Sequence, residues 1–202
     1  MQIISSYGVE LRKQNIPIRQ TLEIYRSAVS YLIGIYVQVW EELAEIPDAK
    51  RRFNAAEHLV HTTKKNHACF DFDIRFPKMP SYLRRSAIQH ALGTVSSYKT
   101  RLDLWEKIDG KSGKPKLVYE NHAMPVFYRD VMYREGAEGK DEAYLKLYDG
   151  HDWKWSCVRL DHTDMEYLRK CWSGKKASAP TLEKRHQKYF LRFSYKEEVT
   201  LT

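Results

Sequence analysis

The spacing of hydrophobic positions changes twice along the chain and predicts three regions. Near the start, apolar residues roughly alternate with polar ones, at Ile3, Ile4, Tyr7, Val9 and Leu11, which predicts one strand over 1–13. An isolated short strand cannot satisfy its own backbone polar groups. We therefore expect it to pair with strands from the C-terminal third of the chain.

Steps of three and four residues then predict a bundle of three helices. The first helix runs from Pro17 to near Pro47, the second from an Asp48 cap to about Thr63, and the third from a Ser81 cap to about Lys107. The predicted buried positions of the first helix are Ile18, Leu22, Tyr25, Val29, Leu32, Tyr36, Val39 and Leu43. Those of the third are Ile88, Ala91 or Leu92, Val95, Tyr98, Leu102 and Trp105. Between the second and third helices, the pattern of FDFDIRF predicts an extended segment with Phe70, Phe72 and Ile74 facing inward.

A period of two returns after a basic loop, DGKSGKPK, at 109–116. VFYRDVMYR reads as a strand, and YLKLYDGHDWKWSCVRL reads as a hairpin that reverses at Asp149-Gly150. A short helix around Asp164 to Trp172, the linker SGKKASAP and a long strand in KYFLRFSYKEEVTLT follow. The order of strand, helices and strands predicts an α+β fold in which a helical bundle interrupts a small β-barrel or sheet.

Composition narrows the class of protein. The 202 residues are 43% hydrophobic and 30% charged, which is typical of a folded globular chain. Only three cysteines occur, without a CxxC pair, which favours a reducing compartment. Neither a span of about 20 apolar residues nor a secretory signal is apparent. We therefore expect a cytoplasmic protein without a membrane partner. The net charge of +8 favours a polyanionic partner.

That charge is concentrated in one segment. Residues 77–116 contain nine Lys and Arg against three Asp and Glu. Taken alone, such a cluster is equally consistent with a solvated surface and with a nucleic-acid contact.

The usual catalytic motifs are not found. GKS at 110–112 lacks the preceding glycine and strand of a phosphate-binding loop, and DGHD at 149–152 fits a tight turn. His58, His61, His67 and Cys69 are spaced too loosely for a typical zinc site, so a helix face with a partly buried cysteine is the favoured interpretation. The sequence predicts no self-contained active site.

The order of three segments resembles a known family. MPSYLRRSAIQHALGTVSSYKTRLDLW, GKPKLVYENHAMPVFYR and KYFLRFSYKEEV together resemble the N-terminal half of the OrfB/TnpB family of insertion-sequence proteins, across nearly all 202 residues. Those proteins are RNA-guided DNA endonucleases related to compact type V CRISPR effectors. The resemblance implies a transposon-associated protein that binds guide RNA and double-stranded target DNA.

The resemblance also implies a domain plan. A wedge domain, an oligonucleotide-binding-like β-barrel, would comprise 1–14 and 117–202, and a helical recognition domain would comprise 15–116. In the family a RuvC-like nuclease half follows, beginning with an Asp in a V-x-D-x-G strand, and this sequence reaches Thr202 before any such residue. We therefore expect no catalytic residue and no cofactor in this chain, with Mg²⁺ and Zn²⁺ belonging to a RuvC-like nuclease half.

Site residues follow from the same resemblance. The family has a basic residue and a Gln one turn apart where this sequence has Arg85 and Gln89, and both residue types suit contacts with base edges. Arg84, Arg51 and Asn54 are further DNA-contact candidates. For the RNA or other phosphates, the candidates are Lys111, Lys114, Lys116, Lys184, Arg185 and Lys188.

Two other functional classes remain open. One is a stand-alone, nuclease-free DNA- or RNA-binding regulator such as a repressor, and the other is a structural interaction module whose basic surfaces only keep it soluble. Dependence of nucleic-acid affinity on salt and on a guide RNA distinguishes the three.

Overall fold

The computed structural model describes residues 2–12, 16–108, 113–119, 122–171, 175–176 and 178–198. The helices are α1 (Ile18–Gln38), α2 (Trp40–Ala44), α3 (Ala49–Val60), α4 (Phe72–Arg75), α5 (Ser81–Lys107) and α6 (His162–Cys171). The strands are β1 (Gln2–Leu11), β2 (Tyr133–Glu135), β3 (Glu142–Tyr148), β4 (Trp153–Arg159), β5 (Lys175–Lys176), β6 (Thr181–Arg185) and β7 (Lys188–Glu198). The fold is therefore α+β, with the helices α1–α5 between the first strand and the rest.

The chain forms two compact units. The first unit is discontinuous and comprises Met1–Leu22 and Met124–Thr202, whereas the second comprises Glu23–Ala123. The junctions between these units fall between Leu22 and Glu23, inside α1, and between Ala123 and Met124. The wedge and recognition boundaries that the resemblance implies, at 14/15 and 116/117, stay predictions.

The main sheet of the first unit is built around β7. β1 pairs antiparallel with it from Gln2 opposite Glu198 to Leu11 opposite Tyr189, which confirms the predicted pairing of the N-terminal strand with the C-terminal third. β5 and β6 both pair antiparallel with β7 as well. The sheet buries Val9, Leu182 and Leu191 completely.

A second sheet has the order β2-β3-β4. β3 and β4 form the predicted hairpin, paired from Glu142 opposite Arg159 to Tyr148 opposite Trp153. One face of this sheet is in the core, because Ala143, Leu145 and Val158 are fully buried. The short helix α6 is also confirmed.

The predicted β-barrel is not confirmed, because the strands of the described residues form two open antiparallel sheets. The strand expected across VFYRDVMYR begins only at Tyr133. Asp130 has a left-handed backbone (φ 62°), and the N–H groups of both Met132 and Tyr133 donate to the Tyr128 carbonyl. This turn leaves β2 only three residues long.

The second unit confirms most of the predicted helical pattern. Tyr25, Val29, Leu32 and Tyr36 of α1 are fully buried. Asp48 caps α3, since its side chain accepts a hydrogen bond from the Arg51 N–H. α5 runs over the predicted range, although its N-cap position is Pro80 and not Ser81.

Two predictions for this unit are wrong. The first helix does not continue to Pro47, because the backbone of Val39 (φ −106°, ψ 17°) separates α1 from α2. FDFDIRF is not extended, since α4 begins at Phe72. In a helix, residues two apart point in nearly opposite directions, so Phe72 is buried whereas Ile74 is 81% exposed.

None of the helices in the described part of the chain has the length and apolar character needed to cross a membrane.

Candidate nucleic-acid interface

Arg85 and Gln89 are exposed on α5, one turn apart. The other side of this helix is buried through Ala87, Ile88 and Ala91. Since side chains four residues apart lie on the same face of a helix, Arg85 and Gln89 project together from the unit. Their exposure leaves both polar head groups able to contact a ligand.

Arg85 is oriented by two contacts with α3. Its guanidinium carbon lies 5.0 Å from the centre of the Phe53 ring, and its Nε lies 3.8 Å from Glu57 Oε2. The first distance is within the range of cation–π attraction. The Arg85 side chain nevertheless stays 51% exposed, so most of its donors remain accessible.

Arg51 and Asn54 are exposed on α3, three residues apart and therefore on one face. The Asp48 cap fixes the start of this helix at the turn that carries Arg51. Neighbouring residues of a helix point about 100° apart, so the contact of Phe53 with Arg85 does not itself place Asn54 beside Arg85. We call the four exposed candidates Arg51, Asn54, Arg85 and Gln89 the α3–α5 surface, after the two helices that carry them.

Arg84 does not belong to this surface. Its side chain is only 9% exposed, and its guanidinium donates to Glu57 Oε1 at 3.3 Å. Within the described residues, its buried Nε has no hydrogen-bond partner. Arg84 thus lies in the interior between α3 and α5, and we remove it from the DNA-contact candidates.

Glu57 is the carboxylate that both arginines share. Arg84 contacts one of its oxygens and Arg85 the other. Burial, together with the charge of Glu57, raises the pKa of the Tyr36 phenol, so that tyrosine stays neutral beside the cluster. Two guanidinium groups against one carboxylate leave a net positive charge, most of it at the exposed Arg85.

The phosphate-contact candidates are divided between the units. Lys111 lies outside the described residues. Lys114 and Lys116 are exposed in the second unit, with the Lys114 ammonium 5.9 Å from the centre of the Trp105 ring. Lys114 and Lys116 therefore belong to a different unit from the C-terminal candidates Lys184, Arg185 and Lys188.

The C-terminal candidates surround the turn between β6 and β7. Arg185 is 2.8 Å from Glu183 Oε1, and Lys188 is 2.7 Å from Glu10 Oε2. Lys184 lies 5.9 Å from the centre of the Tyr189 ring. Because Arg185 and Lys188 already have carboxylate partners, they offer less free charge to a phosphate than their sequence suggests.

Sequence analysis missed a cluster on the solvent side of the second sheet. The Arg134 guanidinium lies 4.4 Å from the centre of the Trp155 ring, and the Lys146 ammonium lies 4.1 Å from that of Trp153. Tyr144, 38% exposed, stands opposite Arg134 in the β2–β3 register. We call Arg134, Tyr144, Lys146, Trp153 and Trp155 the tryptophan face.

The signal for this face was present in the sequence. In YLKLYDGHDWKWSCVRL, alternation about the Asp149-Gly150 reversal places Tyr144, Lys146, Trp153 and Trp155 on the same side of the hairpin. The contribution of Arg134 was not visible, because it depends on where β2 begins after the turn at Asp130.

Across the described ranges, no three His, Cys, Asp or Glu side chains are grouped so that they could hold a metal ion. His61, one of the residues considered for zinc, instead contacts the Asp73 carboxylate at 2.9 Å.

Comparison with protein-family models matches residues 5–149 to the model of the Aq_aa04 family. Comparison with curated proteins gives no match.

Proposed function

The chain belongs to the Aq_aa04 family, and we propose that it is the nucleic-acid-binding part of a TnpB-like, RNA-guided DNA endonuclease. In this proposal the α3–α5 surface reads a short motif in double-stranded DNA next to the target, and the first unit holds the guide RNA. The observation that carries the proposal is the exposure of Arg85 and Gln89 on one face of α5.

The chemistry of these two side chains suits base readout. Arg can donate two hydrogen bonds to the major-groove edge of guanine, and Gln can pair in the same way with adenine. One helical turn is about 5.4 Å, so the two residues would reach neighbouring base pairs. Because Arg85 rests on Phe53, less side-chain freedom is lost when it binds.

The same proposal gives each unit a role. The first unit would act as the wedge domain and the second as the recognition domain. An oligonucleotide-binding-like arrangement is supported by contacts that connect the two open sheets, namely the bridge between Leu11 and Leu160 and the hydrogen bond from Arg12 N to Arg159 O. Cleavage, with its Mg²⁺ and Zn²⁺, would belong to a RuvC-like nuclease half, and the protein would work in the cytoplasm.

The test compares variants on duplex DNA. The chain is purified with the RNA that copurifies with it, and binding to a library of duplexes with a randomised segment is measured at fixed salt. Arg85→Ala should cost about 1–3 kcal/mol of binding free energy and relax the preference at one base position, while Gln89→Ala should act on a neighbouring position.

Arg101→Ala is the matched control. Arg101 is exposed on α5, and its replacement by Ala removes the same charge as Arg85→Ala. Its guanidinium donates to the Ser97 carbonyl of its own helix. Equal losses for Arg85→Ala and Arg101→Ala, with no change in base preference, would contradict base readout by the α3–α5 surface.

Dependence on RNA separates the endonuclease proposal from the alternative regulator. If nuclease treatment that removes the RNA abolishes sequence-selective duplex binding, the guided function is supported. Selective binding that persists without RNA would instead favour a repressor-like protein. Absence of binding even at low salt would contradict both functions.

A further inference from the structure

The tryptophan face combines two aromatic rings with two cations in direct contact. Lys146 lies opposite Trp155 in the β3–β4 register, and its ammonium is 4.1 Å from the Trp153 ring centre and 5.8 Å from that of Trp155. The Arg134 guanidinium approaches Trp155 from β2 at 4.4 Å. The cations of β2 and β3 therefore both contact the tryptophan rings of β4.

The face is held in place by the sheet beneath it. The Trp153 indole N–H donates to the Lys146 carbonyl at 2.9 Å, which fixes the ring against the partner strand. On the opposite side of the sheet, Leu145 and Val158 are fully buried in the core. A ligand would thus meet an already ordered surface, which lowers the entropy cost of binding.

The positive charge of this face is not neutralised within the described part of the chain. The structure gives Arg134 and Lys146 no ion pair with a described carboxylate, in contrast to Arg185 and Lys188. Glu142, the first residue of β3, is on the same face of the strand as Lys146, with its Oε2 3.7 Å from Cys157 Sγ. Arg159 stands opposite Glu142 in the register, so the face stays positive overall.

We propose that the tryptophan face binds a single-stranded RNA segment. Unpaired bases would stack on Trp153, on Trp155 and on the open side of the Arg134 guanidinium, while Lys146 neutralises a backbone phosphate. Duplex bases are already stacked on one another, so a flat aromatic surface of this kind favours single strands. The assignment to RNA rests on the proposed function, which requires a bound guide RNA.

The experiment measures binding of the full chain, freed of copurified RNA, to a fluorescent single-stranded RNA of mixed sequence. Trp155→Leu should weaken binding roughly 5- to 150-fold, since base stacking on one aromatic ring contributes about 1–3 kcal/mol. Trp155→Phe keeps a ring and should retain most of the affinity. Arg134→Gln and Lys146→Gln should each make the salt dependence less steep.

Arg101→Ala serves as the control from the other unit, because Arg101 is exposed on α5 and has no assigned binding role. The thermal transition of every variant is checked by circular dichroism. Weaker RNA binding by a folded Trp155→Leu variant, with Trp155→Phe and Arg101→Ala close to wild type, supports the proposal. Unchanged RNA binding in Trp155→Leu, Arg134→Gln and Lys146→Gln would overturn it, even if duplex readout at Arg85 holds. If the variants lose affinity only for single-stranded DNA of the same sequence, and not for the RNA, the assignment to RNA is wrong.

If duplex DNA binding fails altogether while these RNA results hold, the proposed function falls and the tryptophan face remains an RNA-binding surface. The two proposals can therefore fail separately.

Discussion

The Thr21 hydroxyl is hydrogen-bonded to both main-chain polar groups of Tyr148. The Tyr148 N–H donates to Thr21 Oγ1 at 2.9 Å, and Oγ1 donates to the Tyr148 carbonyl at 2.8 Å. Thr21 is fully buried, and Tyr148 ends β3, where the hairpin begins to turn. A single side chain on the first turn of α1 thus provides a hydrogen-bond partner for both backbone polar groups at the end of a strand that is distant in sequence.

Replacing Thr21 by Val should lower the free energy of unfolding by roughly 1–3 kcal/mol, because both Tyr148 groups would then be buried without this partner. Thr21→Ser keeps the hydroxyl and should cost clearly less. Urea unfolding measures the difference. Equal stability of Thr21→Val and wild type would contradict the importance of this bond.

The neighbouring arginines of α5 should behave in opposite ways. Arg84→Met should destabilise the chain by about 2–4 kcal/mol, because it removes the closest partner of the Glu57 carboxylate. Arg85→Ala should change stability by no more than about 0.5 kcal/mol, since its side chain is half exposed. Thermal unfolding of the two variants compares them, and a larger loss in Arg85→Ala would contradict the placement of Arg84 in the interior.

Two glycines provide a matched pair of alanine substitutions. A Cβ added at Gly136 would lie 2.4 Å from the Glu142 carbonyl oxygen, so Gly136→Ala must displace backbone and should destabilise the first unit by about 1–3 kcal/mol. Gly93 is inside α5 with nothing within 4 Å of an added Cβ. Gly93→Ala should therefore stabilise the chain by about 0.5–1 kcal/mol, as expected for a helix interior. Chemical denaturation measures the unfolding free energy of both variants. A stabilised Gly136→Ala together with a destabilised Gly93→Ala would contradict the local geometry.

His162 should make stability depend on pH. Its Nδ1 is 2.6 Å from Asp141 Oδ2, and this hydrogen bond and the Asp141 charge raise the His162 pKa above 6.5. Burial opposes ionisation of Asp141, but hydrogen bonds from His162 and Arg169 bring the pKa of its carboxyl below the ordinary value. Both shifts indicate that the charged pair is favoured in the folded chain.

Because the folded pKa of His162 is raised, its contribution to stability is complete below the unfolded pKa of 6.5 and is lost as pH rises through the folded value. The melting temperature of wild type should therefore fall relative to that of His162→Gln between about pH 6 and about pH 8. A constant difference between the two proteins over that range would contradict the pairing.

The spacing of apolar residues correctly predicted the elements in which a regular apolar pattern matches the buried face. The hairpin of β3 and β4, the range of α5 and the buried face of α1 all follow from apolar spacing. The same rule would have placed Arg84 correctly. It lies four residues before Ile88, so it continues the buried stripe of α5, although the resemblance implied a DNA contact.

Other elements depend on partners that sequence spacing does not reveal. β6, with the sequence TLEKR, has one fully buried residue, Leu182, and forms because β7 offers an edge for pairing. α4 is a single turn that places Phe72 in the core. For the candidate sites, residue type and spacing predicted the exposure of Arg85 and Gln89, whereas the contribution of Arg134 to the tryptophan face required the register between β2 and β3.

The pairing of β1 with β7 has a consequence for how the chain folds. Gln2 and Glu198 are neighbours in the sheet although nearly the whole chain separates them. Contacts between such distant residues form slowly, whereas helices with mostly local contacts form fast. On a ribosome, α1 to α5 would emerge and assemble while β1 still lacked a strand to pair with, so the order of synthesis delays completion of the first unit until β7 is released.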